Sequence, residues 1–202
     1  MASIRIAITG APGVGKSAFC AAANAAGWPL RTVLELAVEA DAVGPLDKSD
    51  DSRPIDVEML ISKLAFDWHP SNPEDESKVM TETNLPTLID GHISHLLPVD
   101  AVCIIRCNPK ALRARLEARN YPDWKVETNV EWELLGGAWG DRDDYGKIGR
   151  AMKKAGWRRV FEVDSTAKSP EECFKKFVEW FDSGAPSIEP ADAIDWISNL
   201  SD

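Results

Sequence analysis

Eight consecutive residues, Gly10-Ala11-Pro12-Gly13-Val14-Gly15-Lys16-Ser17, have the types and spacing to hold a phosphate group. The GxxxxGK[ST] pattern needs its glycines because the backbone must curl until several N–H groups face one anion. Lys16 adds a point charge suited to β- and γ-phosphate oxygens, and Ser17 a hydroxyl suited to Mg²⁺. The flanks strengthen the reading. Ile4 to Thr9 is short, apolar and β-branched, as buried parallel strands are. Lys16 to Ala26 is alanine-rich and favours helix, with Gly27 to stop it. A strand, a glycine loop and a helix N-terminus in that order form an anion cradle. We therefore expect a bound triphosphate, ATP or a close relative, together with Mg²⁺.

Other polar residues fall where such a site needs them. Asp90 ends an apolar run from Leu85, a position from which an acid orients Mg²⁺ directly or through water, or simply caps a turn. His92, two residues on, is a general base, a donor to a phosphate, or a plain loop histidine. His92 and His95 together invite a metal reading, but no thiolate lies near them in sequence, and zinc is set aside. Arg106, Arg113, Arg115 and Arg119 form a row that either faces solvent or supplies the mobile cations of phosphoryl transfer. Arg119, where a helix gives way to a loop, is the one expected on a lid. Arg31 and Arg53 are candidates for gripping a second substrate. Cys20, Cys103, Cys107 and Cys173 form no CxxC pair and read as apolar filler. Most of the eight tryptophans read as core or hinge packing, and they are not read as a base-stacking platform.

Positioning these residues requires alternating strands and helices. Apolar strands are expected at 4–9, 29–33, 85–90, 101–106 and 158–164, with helices between them. Pro109 and Ser169-Pro170-Glu171-Glu172 mark helix starts, the latter as a capping box. Gly136, Gly137, Gly140 and Gly146 interrupt any long periodic pattern. The fold class expected is α/β, a P-loop NTPase: a three-layer parallel sheet of about five strands with helices on both faces. Residues 1–184 read as one domain. Residues 185–202 read as an acidic tail with an amphipathic helix from Glu189 to Leu200. The 202 residues carry a net charge of −10. That balance argues against a broad nucleic-acid surface. No run is long enough for a membrane span, and a cytoplasmic location is expected, nuclear as well in a eukaryote.

Four stretches resemble the atypical adenylate kinases of the coilin-interacting nuclear ATPase type. Residues 8–17 resemble that family's phosphate loop. Ile-Asp-Gly-His-Ile-Ser-His-Leu-Leu-Pro (89–98) is similar to its Asp-x-His motif. Residues 102–109 match the following strand. Leu116 to Tyr121, continuing through Lys125, Asn129 and Glu133, is similar to its lid. The fold so implied carries NMP-binding and lid segments. The resemblance implies Mg²⁺-dependent, reversible phosphoryl transfer between ATP and AMP, a slower ATPase activity, and a role in small ribosomal subunit maturation beside a basic ribosomal protein. Carried over by position, Gly10, Gly13, Val14, Gly15, Lys16, Ser17 and Ala18 hold ATP. Ser17 and Asp90 serve Mg²⁺, Asp90 and His92 are the catalytic pair, and Arg119 is the lid arginine.

Three departures stand out. The AMP segment keeps Ser52 and Asp56 but has Asp50 at the family's arginine position, with Arg53 nearby. Asn120 stands where the lid usually has glycine. Ala18 replaces a second hydroxyl. Two further readings therefore stay open beside an adenylate kinase: an ATP-switched assembly factor, and a P-loop kinase of another small molecule.

Overall fold

The computed structural model describes residues 4–46, 53–68, 85–144 and 159–198. Its strands are β1 (Arg5–Thr9), β2 (Leu30–Thr32), β3 (Thr87–Asp90), β4 (Ala101–Arg106) and β5 (Val160–Asp164). They form one parallel sheet in the order β2-β3-β1-β4-β5. The helices are α1 (Lys16–Ala25), α2 (Val33–Glu39), α3 (Val57–Asp67), α4 (Pro109–Glu117), α5 (Asp123–Leu134), α6 (Gly137–Asp144) and α7 (Pro170–Asp182). The expected five-stranded P-loop architecture is what forms. Ser52 and Asp50 lie outside the described residues, as does the polar stretch 69–84.

The two-residue period of the strands divides the core between two faces. Ile6, Ile8, Cys103 and Ile105 point one way, with Phe19 of α1 and the aromatic face of α7. Ala7, Ile89, Val102 and Ile104 point the other way, with Leu36 of α2 and Leu60 of α3. All six residues of β4 are buried. That is why its sequence reads as one apolar run rather than an alternation. Trp28 meets Phe174, Phe177 and Phe181 edge-on, with ring centroids 5.7, 5.3 and 5.2 Å away. The four cysteines are buried and unbridged, as expected.

One expectation fails. Over its described residues the Glu189–Leu200 helix does not form: Pro190–Asp192 is a 3₁₀ turn, and the chain turns again after Asp195, whose carboxylate accepts from Ile197 N at 2.8 Å. Tertiary partners capture its backbone instead. Ile188 N donates to Val160 O at 3.1 Å, and Ile194 N donates to Glu162 Oε2 at 2.7 Å. The glycine-rich stretch after α5 does interrupt the helical pattern, and a short helix follows the break. Gly136, with φ +63°, ends α5, and α6 begins at the next residue.

The strand-end residue Arg106 organises this end of the molecule. It is 2% exposed. Its Nε donates to Glu133 Oε1 and one terminal nitrogen to Glu162 Oε1, each at 2.7 Å. The other terminal nitrogen donates to Glu133 O at 3.0 Å. Glu133 Oε1 also accepts from Trp196 Nε1 at 2.9 Å and Cys107 N at 3.2 Å. Burial opposes the charge on Arg106, but Glu133 and Glu162 outweigh it and raise its pKa. For Glu133, burial is the larger influence and raises the pKa against the pull of Arg106. Removing one partner of a buried pair strands the other charge. Glu133→Ala is therefore expected to lower stability by about 3–5 kcal/mol, and Glu133→Gln by less. Urea unfolding checks this, and a loss under about 1 kcal/mol for Glu133→Ala would contradict it.

Candidate active site

The loop between β1 and α1 is shaped by two close approaches. Gly10 has φ +136°, and a Cβ there would lie 2.3 Å from the Ile105 carbonyl oxygen of β4. Gly13 has φ +92°, and a Cβ there would press on Leu116 at 2.8 Å and Leu112 at 2.9 Å. Only glycine satisfies both the left-handed backbone and the missing volume. The loop ends at Gly15, which caps α1 without a side-chain hydrogen bond. The first N–H groups of α1 thus remain available to an anion, with the positive end of the helix dipole behind them.

A brace from the far side holds this loop. Ser165 Oγ lies 2.6 Å from Val14 O and 3.0 Å from Arg106 O. Arg115 donates to Ser165 O at 2.9 Å and Thr166 O at 3.0 Å. The arginine row therefore divides. Arg106 is structural, Arg115 is part of the brace, and Arg113 ties α4 to α5 through Glu127 at 2.6 and 2.8 Å. Arg119 alone of the four is exposed, and its charge acts on Lys16. Asn120, with φ +56°, makes the left-handed turn after α4. Asparagine tolerates that conformation better than most residues, which explains how it stands in for glycine.

Lys16 Nζ donates to Gly10 O at 2.7 Å and Ala11 O at 2.9 Å. Burial lowers its pKa to about 8, against the attraction of Asp90. Asp90 ends β3, in register with Ile8 of β1 and Thr32 of β2. Burial raises its pKa, opposed by Lys16. His92 is exposed at the cleft mouth. Its pKa is lowered by desolvation first, then by Lys16 and His95, which favours the neutral imidazole.

Two adjoining cavities open beside the loop. One, of about 600 Å³, is lined by Lys16, Asp90, His92, Arg53 and the apolar Val33 and Leu34. The other, of about 760 Å³, lies between Pro12, Arg53 and α5, where Tyr121, Trp124, Lys125 and Asn129 form a wall. Pro12, Arg53, Ile55, His92 and Ile93 line both. The structure thus brings Lys16, Asp90, His92 and Arg53 together. It does not bring Arg31 or Asp56 to them. Arg31 pairs with Glu39 at 2.6 Å, and Asp56 caps α3 by accepting from Met59 N at 2.9 Å. Sequence reasoning missed the Ser165 brace and the place of Trp124 on the cavity wall, because neither carries a local motif; Tyr121, Lys125 and Asn129 of that wall fall in the stretch that resembles the lid.

Mg²⁺ favours hard oxygen ligands and commonly takes one or two from protein, completing its shell with phosphates and water. The Asp90 carboxylate beside Lys16 and the exposed Ser17 hydroxyl at the head of α1 are donors of that kind. Among the described residues no group of three or more His, Cys, Asp or Glu forms a protein-only cage. The fit is thus to a phosphate-borne Mg²⁺.

Residues 6–136 match the family described as AAA domain. The chain belongs to that family. Its relatives include archaeal proteins. It is 31% identical over 199 residues to a "Putative adenylate kinase" of Archaeoglobus fulgidus, covering 98% of this chain and 94% of that one. A protein of the same description from Pyrococcus abyssi is 31% identical, covering 89% and 84%. One from Pyrococcus furiosus is 33% identical over the same shares, 89% and 84%.

The lowered pKa of Lys16 yields a test of the loop. Above pH 8 the free amine is largely neutral, and a bound polyphosphate favours the ammonium form. ATP binding is therefore expected to take up a proton, increasingly as pH rises from 7 to 9, with weakening affinity. Calorimetry in buffers of different ionisation enthalpy measures this. Uptake that persists unchanged in Lys16→Arg would assign the proton elsewhere.

Proposed function

We propose that this protein is a nucleoside-monophosphate kinase that transfers the γ-phosphoryl group of ATP to AMP. The observation that carries the reading is the pair of adjoining cavities, whose walls gather Lys16, Asp90, His92 and Arg53. Their volumes fall in the range of small-molecule sites. The description of the archaeal relatives as adenylate kinases supports the same reading.

In this reading the backbone N–H groups of the loop and of α1 hold the β- and γ-phosphates. Lys16 leaves the Gly10 and Ala11 carbonyls and neutralises charge on the transferring group. Arg119, exposed at the turn after α4, closes over the phosphates from the lid side. Ser17 and Asp90 would hold a Mg²⁺ that arrives with the nucleotide, and that ion would supply charge neutralisation at the phosphates. The acceptor oxygen of AMP forms a bond to the γ-phosphorus as the bridging β,γ oxygen bond breaks, leaving two molecules of ADP. A phosphate oxygen is already anionic, so the step needs no strong base. The neutral imidazole of His92 serves instead as a hydrogen-bond donor that aims the acceptor phosphate. Arg53 grips that phosphate, and Trp124 and Tyr121 offer flat faces to its base. Water reaching the same point accounts for slow ATP hydrolysis.

The test measures ADP formed from ATP with a panel of monophosphates, beside plain hydrolysis. AMP should be the best acceptor, and Lys16→Ala should lose turnover by on the order of a hundredfold or more. Arg53→Ala should raise KM for AMP roughly tenfold with little change in kcat. Hydrolysis of ATP without transfer to any monophosphate would sink the reading.

A further inference from the structure

The last residue of β1 joins the two sides of the cleft. Thr9 and His95 are buried, at 0% and 3% exposure. Thr9 Oγ1 lies 2.9 Å from His92 O and 2.7 Å from His95 Nδ1. On the far side of the ring, His95 Nε2 lies 3.2 Å from Asp141 Oδ2 of α6. A threonine hydroxyl has one proton and two acceptor lone pairs. The carbonyl of His92 can only accept, so that contact is a hydrogen bond when the Thr9 proton points to it. His95 Nδ1 then donates to the Thr9 oxygen. The other ring nitrogen faces the Asp141 carboxylate.

These bonds form one chain from α6 to the cleft. Thr9 immediately precedes Gly10 of the phosphate loop, and His92 lines both cavities. The neighbouring ties run to Ile8: Gly91 N donates to Ile8 O at 3.3 Å and Ser94 Oγ donates to the same oxygen at 3.0 Å. The Thr9 bond is the one that reaches the His92 carbonyl itself. If His95 stopped donating, the Thr9 proton would turn toward the ring, and the His92 backbone would lose this anchor.

We propose that His95 is a positioning residue for phosphoryl transfer: by donating to Thr9 it commits the Thr9 hydroxyl to the His92 carbonyl, and so fixes His92 against the phosphate loop. This rests on the reading of His92 as the group that aims the acceptor. The role is distinct from anchoring α6, which the Asp141 contact alone would accomplish.

The experiment compares Thr9→Val, Thr9→Ser, His95→Phe and His95→Asn, reading kcat, KM for AMP, ATP affinity and Tm. Thr9→Val keeps the shape and deletes the hydroxyl, and Thr9→Ser restores it. His95→Asn keeps a donor near the Nδ1 position and gives up the Asp141 pair. Thr9→Val and His95→Phe should lower kcat roughly tenfold and raise KM for AMP, with ATP affinity within about twofold. Thr9→Ser and His95→Asn should recover most of the loss. Equal loss in the rescuing variants, or falling Tm with kcat per folded molecule unchanged, overturns the proposal. Nitrogen-detected spectra of the wild-type histidine rings give a readout independent of turnover and of how the variants fold. In the pH range of maximal turnover, His95 Nδ1 should carry a proton. A neutral ring with Nδ1 as acceptor overturns the proposal. Should the wild type make no ADP from AMP, the reading of the acceptor fails, while the ring spectra and the effect of each variant on ATP hydrolysis still decide the role of His95.

Discussion

A guanidinium taken out of water has to be met on all sides, and Arg106 is met by residues from every element around it. Glu133 comes from α5, Glu162 from β5, and the Ile194 carbonyl from the tail. Trp139 of α6 joins through Glu162 at 2.8 Å, and Trp196 joins through Glu133. This one charge therefore fixes the last turn of α5, the start of α6 and the path of the tail. The consequence reaches the cleft, because the first turns of α5 carry Trp124 and Lys125 on the cavity wall. A wall anchored at one end by a buried ion pair keeps its spacing from Arg53 and Pro12. Glu133 Oε2 alone among the buried side-chain oxygens and nitrogens described has no hydrogen-bond partner. Three donors crowd its other oxygen, so the arrangement favours direction over full satisfaction.

The phosphate loop is held by a different logic. Its inner surface must stay free for an anion, so everything that stiffens it acts from outside. Gly10 is pressed to β4 and Gly13 to α4, while Ser165 and Arg115 tie the Val14 carbonyl to the end of β5. The position of Lys16 follows from this. Its amine rests on two carbonyls, partly desolvated, and its charge is lightly enough supported that a phosphate competes for it. On the acceptor side, the His92 segment is joined to the strand that carries the loop by Gly91 N and Ser94 Oγ on the Ile8 carbonyl and by the Thr9 hydroxyl on the His92 carbonyl.

Much of the fold was legible because its signals are local. β-branched runs before glycines, Ser169 with Glu172, and Gly27 and Gly184 after helices all announce their elements within a few residues. Both ends of the Ser169 capping box form. The failures share a cause. The tail has helical spacing, but its backbone finds partners on β5 that outbid an isolated short helix. Arg31 and Asp56 have the chemistry of ligands, yet they pair with Glu39 and cap α3. The type of a residue does not say which of its neighbours is nearest.

By itself the sequence determined the parallel sheet, the phosphate loop and the candidacy of Lys16, Asp90 and Arg119, because spacing within one turn or one strand end fixes them, while His92 stood out only through the family resemblance. Only the tertiary structure decided which arginine is buried, which braces the loop and which stays exposed to act on Lys16. It also decided that Arg53 and His92 line the same two cavities and that Thr9, His95 and Asp141 form one chain of hydrogen bonds. Those contacts join residues far apart along the chain, and the order of strands in the sheet, rather than any local pattern, brings them together.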